Sequence, residues 1–189
     1  METIEGKHGN LIQIERIEAM VPVEEYVKTC VDVPKFLSYC KECPSYGNRW
    51  SCPPFEKDPV TIWEQYETVR LYGYVLPNGS GQSVAGALEN MEQAKDQLLK
   101  ELLELEQAIP GSFVLSCGTC RLCRDNCTRP AGKPCRMPEK MRHSVESLGG
   151  DVSKTAELYL KKPMLWIKDS VLPDYLMLVG GLLLKRQED

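Results

Sequence analysis

The chain has 189 residues, 42% of them hydrophobic and 26% charged, with a formal net charge of -4. This is the composition of a soluble globular protein, large enough to bury an ordinary core without covalent staples. The acidic balance argues against nucleic acid as a partner, and the longest apolar run, "YLMLVGGLLL", falls well short of the roughly 20 residues of a membrane-spanning helix.

The first residues, "METIEGKHGNLIQIERIEAM", carry no basic region followed by an apolar run, so they do not read as a secretion signal. The expected compartment is the cytoplasm, where disulfides are rare and clustered cysteines more often bind metal. "NLIQIERIEA" reads as an opening strand and "VEEYVKTCV" as a short helix. A first cysteine block follows in "YCKECPSYGNRWSCPPF", whose Pro, Gly and Asn content reads as loop. "DPVTIWEQYETV" reads as a helix with Asp58 as N-cap and Pro59 at its first position, and "VRLYGYVLP" as a strand. "LPNGSGQS" reads as a loop with a serine cap.

From Ser83 to Ile109, Val84, Leu88, Met91, Leu98, Leu102, Leu105 and Ile109 recur at helical spacing, which predicts a long helix packed on a sheet. "PGSFVLSC" reads as a strand leading into the second cysteine block, 117–135. Helices are expected from Pro138 to the Gly149-Gly150 pair and over "DVSKTAELYL", capped by Asp151 or Ser153. "MLWIKD" and "PDYLMLVGGLLLKR" read as a closing, hairpin-like pair of strands. The order predicts a single α+β domain over 1–189, with a mixed sheet, packed helices and two inserted cysteine-rich loops at about 38–56 and 115–138. The two loops together are expected to form a ferredoxin-like cluster-binding region.

Nine cysteines, an odd count without a secretion signal, weigh against a disulfide framework. Cys117, Cys120, Cys123 and Cys127 follow the C-x2-C-x2-C-x3-C spacing of bacterial ferredoxins, without the proline after the last cysteine. Three cysteines joined by two even C-x2-C steps on a wound loop can reach three corners of one cubane. They fit one tetrahedral zinc poorly, because the middle thiolate crowds the others. Cys40, Cys43 and Cys52 in the first block and Cys135 in the second bring the set to eight, the requirement for two [4Fe–4S] clusters. Neither block holds a multiple of four, so one thiolate has to cross over. The simplest partition joins Cys117, Cys120 and Cys123 to Cys135, and Cys127 to Cys40, Cys43 and Cys52. Exchanges among Cys52, Cys127 and Cys135 remain open, and zinc is the alternative metal. Cys30, among valines on a helix, reads as core.

Arg121, Arg124, Arg129, Lys133, Arg136, Lys140 and Arg142 are opposed between Cys117 and His143 only by Asp125 and Glu139. Such cations offset the negative charge of a thiolate cluster, or dock an acidic redox partner. Trp50 reads either as a shield for a cluster or as an anchor for its loop. His8 and His143 are the only histidines, and His143 reads as packing before proton donor. No catalytic motif is present, so enzymatic activity is left open.

The cysteine pairs, "WSCPP", "CGTCRLCRDNC" and "PCRMPEKMRHSVESLGGDV" together resemble the predicted metal-binding protein family known as domain of unknown function 2284. The resemblance implies a cytoplasmic protein of anaerobes and archaea, with the same eight cysteines inside its motif. Two [4Fe–4S] clusters point to electron transfer with a partner redox enzyme. An accessory reductase or activating enzyme for a metallocofactor protein, and a zinc-stabilised interaction module, are the alternatives.

Overall fold

The computed structural model describes residues 1–6 and 10–185. His8 and Arg186, the last residue expected in the closing strand, lie outside the described residues. The chain runs β1 (Glu2–Glu5), β2 (Leu11–Pro22), α1 (Val23–Cys30), α2 (Val33–Lys41), α3 (Val60–Trp63), β3 (Thr68–Pro77), α4 (Val84–Ala108), β4 (Phe113–Leu115), α5 (Val152–Leu158) and β5 (Tyr175–Leu184). The α+β class holds. The five strands form one sheet in the order β1-β2-β3-β5-β4, and every neighbouring pair is antiparallel, so the sheet is not mixed.

β3 and β5 lie at the centre and are buried on both faces. Their residues alternate between two cores with the period of a strand. Val69, Leu71, Val75, Met177, Val179 and Leu183 face the side covered by α1, α5 and Trp63. Tyr72, Tyr74, Leu76, Leu178 and Leu182 face α4, which contributes Ala94, Leu98 and Leu102. Gly180 lets α4 lie close on β5: a Cβ there would stand 3.2 Å from Leu102 Cδ1 and 3.1 Å from the Leu115 carbonyl oxygen. Ser83 caps α4 by accepting from the Gly86 N–H at 3.1 Å, as a serine cap requires.

Four expectations are corrected. α2 begins inside what reads as the approach to a loop, so Cys40 stands on its last turn; Asp32 caps it by accepting from Lys35 N–H at 3.0 Å. The helix expected from Asp58 ends at Trp63, because the chain becomes strand at Thr68. The helix expected from Pro138 is irregular chain with one 3-10 turn, Glu146–Leu148, because the chain around Ser144 pairs instead with Ser116. "MLWIKD" is not a strand: β5 is flanked by β3 and β4 and has no free edge to offer it. No helix among the described residues is long and apolar enough to cross a membrane.

Candidate metal centre

The first cysteine block leaves α2 through successive turns. The Cys43 N–H donates to the Cys40 carbonyl at 3.0 Å, and the Ser45 N–H points at Cys43 Sγ from 3.5 Å. Cys52 Sγ lies 3.2 Å from the Thr119 hydroxyl, in the second block. Burial pushes the Cys40 thiol pKa up, and the charges of Cys52, Cys43 and Glu146 push it further in the same direction.

The second block is a loop tied at its base. The Ser116 N–H donates to the His143 carbonyl at 2.8 Å, and the Val145 N–H to the Ser116 carbonyl at 3.3 Å. Within it, Cys120, Cys123, Cys127 and Cys135 line a single small cavity of about 10 Å³, with Arg49, Trp50, Leu122, Met137 and Met141. Burial raises the Cys120 thiol pKa, opposed by the Leu122 N–H and reinforced by Cys135, Cys123 and Cys127. Burial pushes on Cys127 in the same sense but loses there: the N–H groups of Arg129 and Trp50 and the Arg49 guanidinium leave that thiol below its ordinary range.

This grouping differs from the partition that spacing suggests. Cys127 stays with its own block, and Cys117 leaves it. The chain turns at Gly118, with φ of +64°, and Cys117 is 5% exposed in the core against α4. Burial pushes its thiol up to about 12, against the pull of Lys95. Cys30 is buried in the opposite core, as its place among valines implies.

The two blocks are locked together. Ser51, 1% exposed, accepts from the Cys120 N–H through its hydroxyl at 3.1 Å and meets His143 Nδ1 through its carbonyl at 3.2 Å. The Arg129 guanidinium donates to the carbonyls of Arg49, at 2.6 Å, and of Cys52 and Pro54. It also lies over the Trp50 ring, 5.5 Å from its centroid. Trp50 donates through Nε1 to the Lys133 carbonyl at 3.1 Å, so it both walls the cavity and anchors its loop. His143 packs edge-on against Phe55 at 4.8 Å; burial, together with Arg129 and Arg142, holds its pKa below the usual value despite the Ser51 carbonyl. Its role is packing.

Part of the basic charge is neutralised internally. Arg121 pairs with Glu92 and Arg142 with Glu106, both on α4, and Arg49 lies 3.8 Å from Asp125. Arg124, Lys133, Arg136 and Lys140 are exposed. Sequence reasoning missed Glu146, whose carboxylate Oε2 is sealed from solvent. It also missed a cleft of about 810 Å³ between the α1–α2 segment and residues 53–60, walled by Tyr46, Pro53 and Pro54 beside Cys52.

Among the described residues, no three Cys, His, Asp or Glu side chains converge closely enough to hold one metal ion. The donor chemistry nevertheless fits a thiolate-bound metal group. Four thiols share one cavity, and backbone N–H groups face the sulfurs of Cys43, Cys120 and Cys127. Hydrogen bonds of that kind stabilise metal-bound thiolates and tune their potential. A family model described as predicted metal-binding protein, DUF2284, matches residues 27–184, a span that contains all nine cysteines. Neither a curated protein nor a solved structure matches the chain.

Proposed function

Because the chain belongs to the DUF2284 family of predicted metal-binding proteins, we propose that its metal groups are two [4Fe–4S] clusters and that it exchanges electrons with a partner redox enzyme. The observation that carries this reading is the set Cys120, Cys123, Cys127 and Cys135 around one cavity, with N–H donors on two of the sulfurs. Cys40, Cys43 and Cys52 form the core of the second site. Bound clusters would supply one-electron redox steps. The chain's own part is to hold the thiolates, screen them with Trp50, Met137 and Met141, and offset their charge with Arg49. The exposed Arg124, Lys133, Arg136 and Lys140 border this region and suit an acidic docking face on the partner.

Protein purified without oxygen is expected to be brown, to absorb broadly near ~400 nm, and to contain about eight irons per chain. Colourless protein holding one or two zinc ions would overturn the iron–sulfur reading in favour of a zinc-stabilised module. A second reading, an accessory reductase, is favoured by the 810 Å³ cleft walled in part by Pro53 and Pro54, which has the size of a small-molecule site. Reduced protein mixed with candidate acceptors separates the two. Simple one-electron exchange supports the carrier; release of a reduced product over many turnovers supports the reductase.

A further inference from the structure

The cleft of about 810 Å³ between the α1–α2 segment and residues 53–60 joins an apolar interior to a charged mouth. Val31, Val33 and Leu37 on one side and Pro53, Phe55 and Val60 on the other are buried or half-buried. Lys28, Lys35, Lys57 and Lys154 line it against Asp32, Glu56, Asp58 and Asp151, and all of these but Asp151 are exposed. A volume of this size with walls of this kind suits a small molecule. We propose that the cleft binds a small molecule with an apolar body and a single anionic group, held by Lys28 and Lys57. The proposal rests on the reductase reading above and names the class of substrate that reading requires.

The charges already committed elsewhere decide the sign of the ligand. Asp32, Asp58 and Asp151 each accept a backbone N–H at the start of a helix, from Lys35, Val60 and Lys154 in turn, each at 3.0 Å. These three carboxylates therefore face the positive ends of helices. Lys35 Nζ is taken by Asp151 at 3.1 Å and Lys154 Nζ by the Thr29 carbonyl at 3.2 Å. Lys28, Lys57 and Glu56 remain without a hydrogen bond or ion pair among the described residues. Two ammoniums against one carboxylate favour an anion, and that carboxylate limits the ligand to one charged group. Lys28 belongs to α1 and Lys57 to the opposite wall, so the two flank the space between. Pro53 and Pro54 directly follow Cys52, and Arg129 holds the carbonyls of Cys52 and Pro54. A molecule against Pro53 thus lies against backbone continuous with a cysteine of the first block.

The probes are anilinonaphthalene sulfonate, an apolar body with one anionic group, and its uncharged parent phenylnaphthylamine, each titrated by fluorescence into the full chain. The sulfonate is expected to bind at a single site, about tenfold more tightly than the uncharged dye. Lys28→Gln combined with Lys57→Gln should remove that advantage and leave the uncharged dye unaffected. Lys100→Gln combined with Lys168→Gln, the same loss of charge outside the cleft lining, should change neither. Leu37→Trp, which fills the cleft, should weaken both dyes. Equal affinity for the two dyes, an equal effect of the two lysine pairs, or sulfonate binding that Leu37→Trp leaves intact would each overturn the proposal, as would no binding at all. If Leu37→Trp does not fold, as judged by circular dichroism, the two lysine pairs decide. Turnover of candidate acceptors is measured separately on the same proteins. The expected binding pattern without turnover keeps the site and ends the reductase reading; turnover without that pattern keeps the reading and ends the site.

Discussion

Arg142 and Glu106 are each 13% exposed, and they join three parts of the chain. Glu106, on α4, accepts from Arg142 Nε through both carboxylate oxygens, from Arg142 Nη2, and from the Val114 N–H at 2.7 Å. At this depth the charges attract strongly across a low dielectric, and removing one partner strands the other as a desolvated charge. Arg142→Ala is expected to lower stability by about 3–5 kcal/mol, seen as a shifted midpoint in urea, and Arg142→Ala with Glu106→Ala should recover part of it. Asp151 behaves differently because its partner Lys35 is 44% exposed, while Asp151 itself is 13% exposed. Burial pushes its carboxyl up, but the Lys154 N–H it caps and the Lys35 ammonium at 3.1 Å outweigh burial, so its pKa lies below the usual value. A carboxyl depressed by folding stabilises the native state above its unfolded pKa, and that contribution disappears as pH falls through the folded pKa. Asp151→Asn keeps an N-cap acceptor but should flatten the acid limb of the stability curve below about pH 4. An unchanged acid limb would refute this account of Asp151.

At the scale of elements, the sequence is most readable where one periodicity runs uninterrupted. The apolar stripe of α4 predicts an element that the structure contains, because a single packing face dictates its residues, and the apolar, β-forming runs of β3 and β5 suit strands buried on both faces. Reading fails where tertiary pairing overrides local pattern. Pro138 and Gly149 look like the two ends of a helix. Gly149 does close a 3-10 turn, with φ of +86°, but the chain before it is held by Ser116 and His143. α2 carried its own start signal in Asp32 and Pro34, masked by the cysteines that follow. Spacing alone singles out eight cysteines as candidate ligands. It does not give their grouping, which depends on the turn at Gly118 and the core that receives Cys117. The close approach of α4 to β5 makes a direct test of packing. Gly180→Val should cost about 1–3 kcal/mol by overpacking, while Gly79→Ala, where a Cβ would meet nothing within 4 Å, should leave thermal unfolding unchanged.

The whole molecule divides its sources of stability. The sheet has a full core on each face, built from residues outside the cysteine blocks apart from Leu115 and Cys117, with Phe55 packed against it. The blocks themselves are held by hydrogen bonds that cross between them, through Arg129, Ser51 and Trp50, with few buried side chains of their own. Metal binding contributes folding free energy where the ligands are brought together only in the folded state. Segments held mainly by polar contacts open more easily than packed cores. Metal removal should therefore loosen residues 38–56 and 115–138 and spare the sheet. The measurement is amide hydrogen exchange before and after chelation. Faster exchange is expected in those two segments together, because each provides the other's hydrogen-bond partners, while β3 and β5 retain their protection. Arg129→Ala should reproduce the coupled loosening without any chelator, since it frees the carbonyls of Arg49, Cys52 and Pro54 at once. Loss of protection in β3 and β5 on chelation would instead mean that the metal groups hold the entire fold, and an effect confined to one block would mean that the crossing bonds do not couple them.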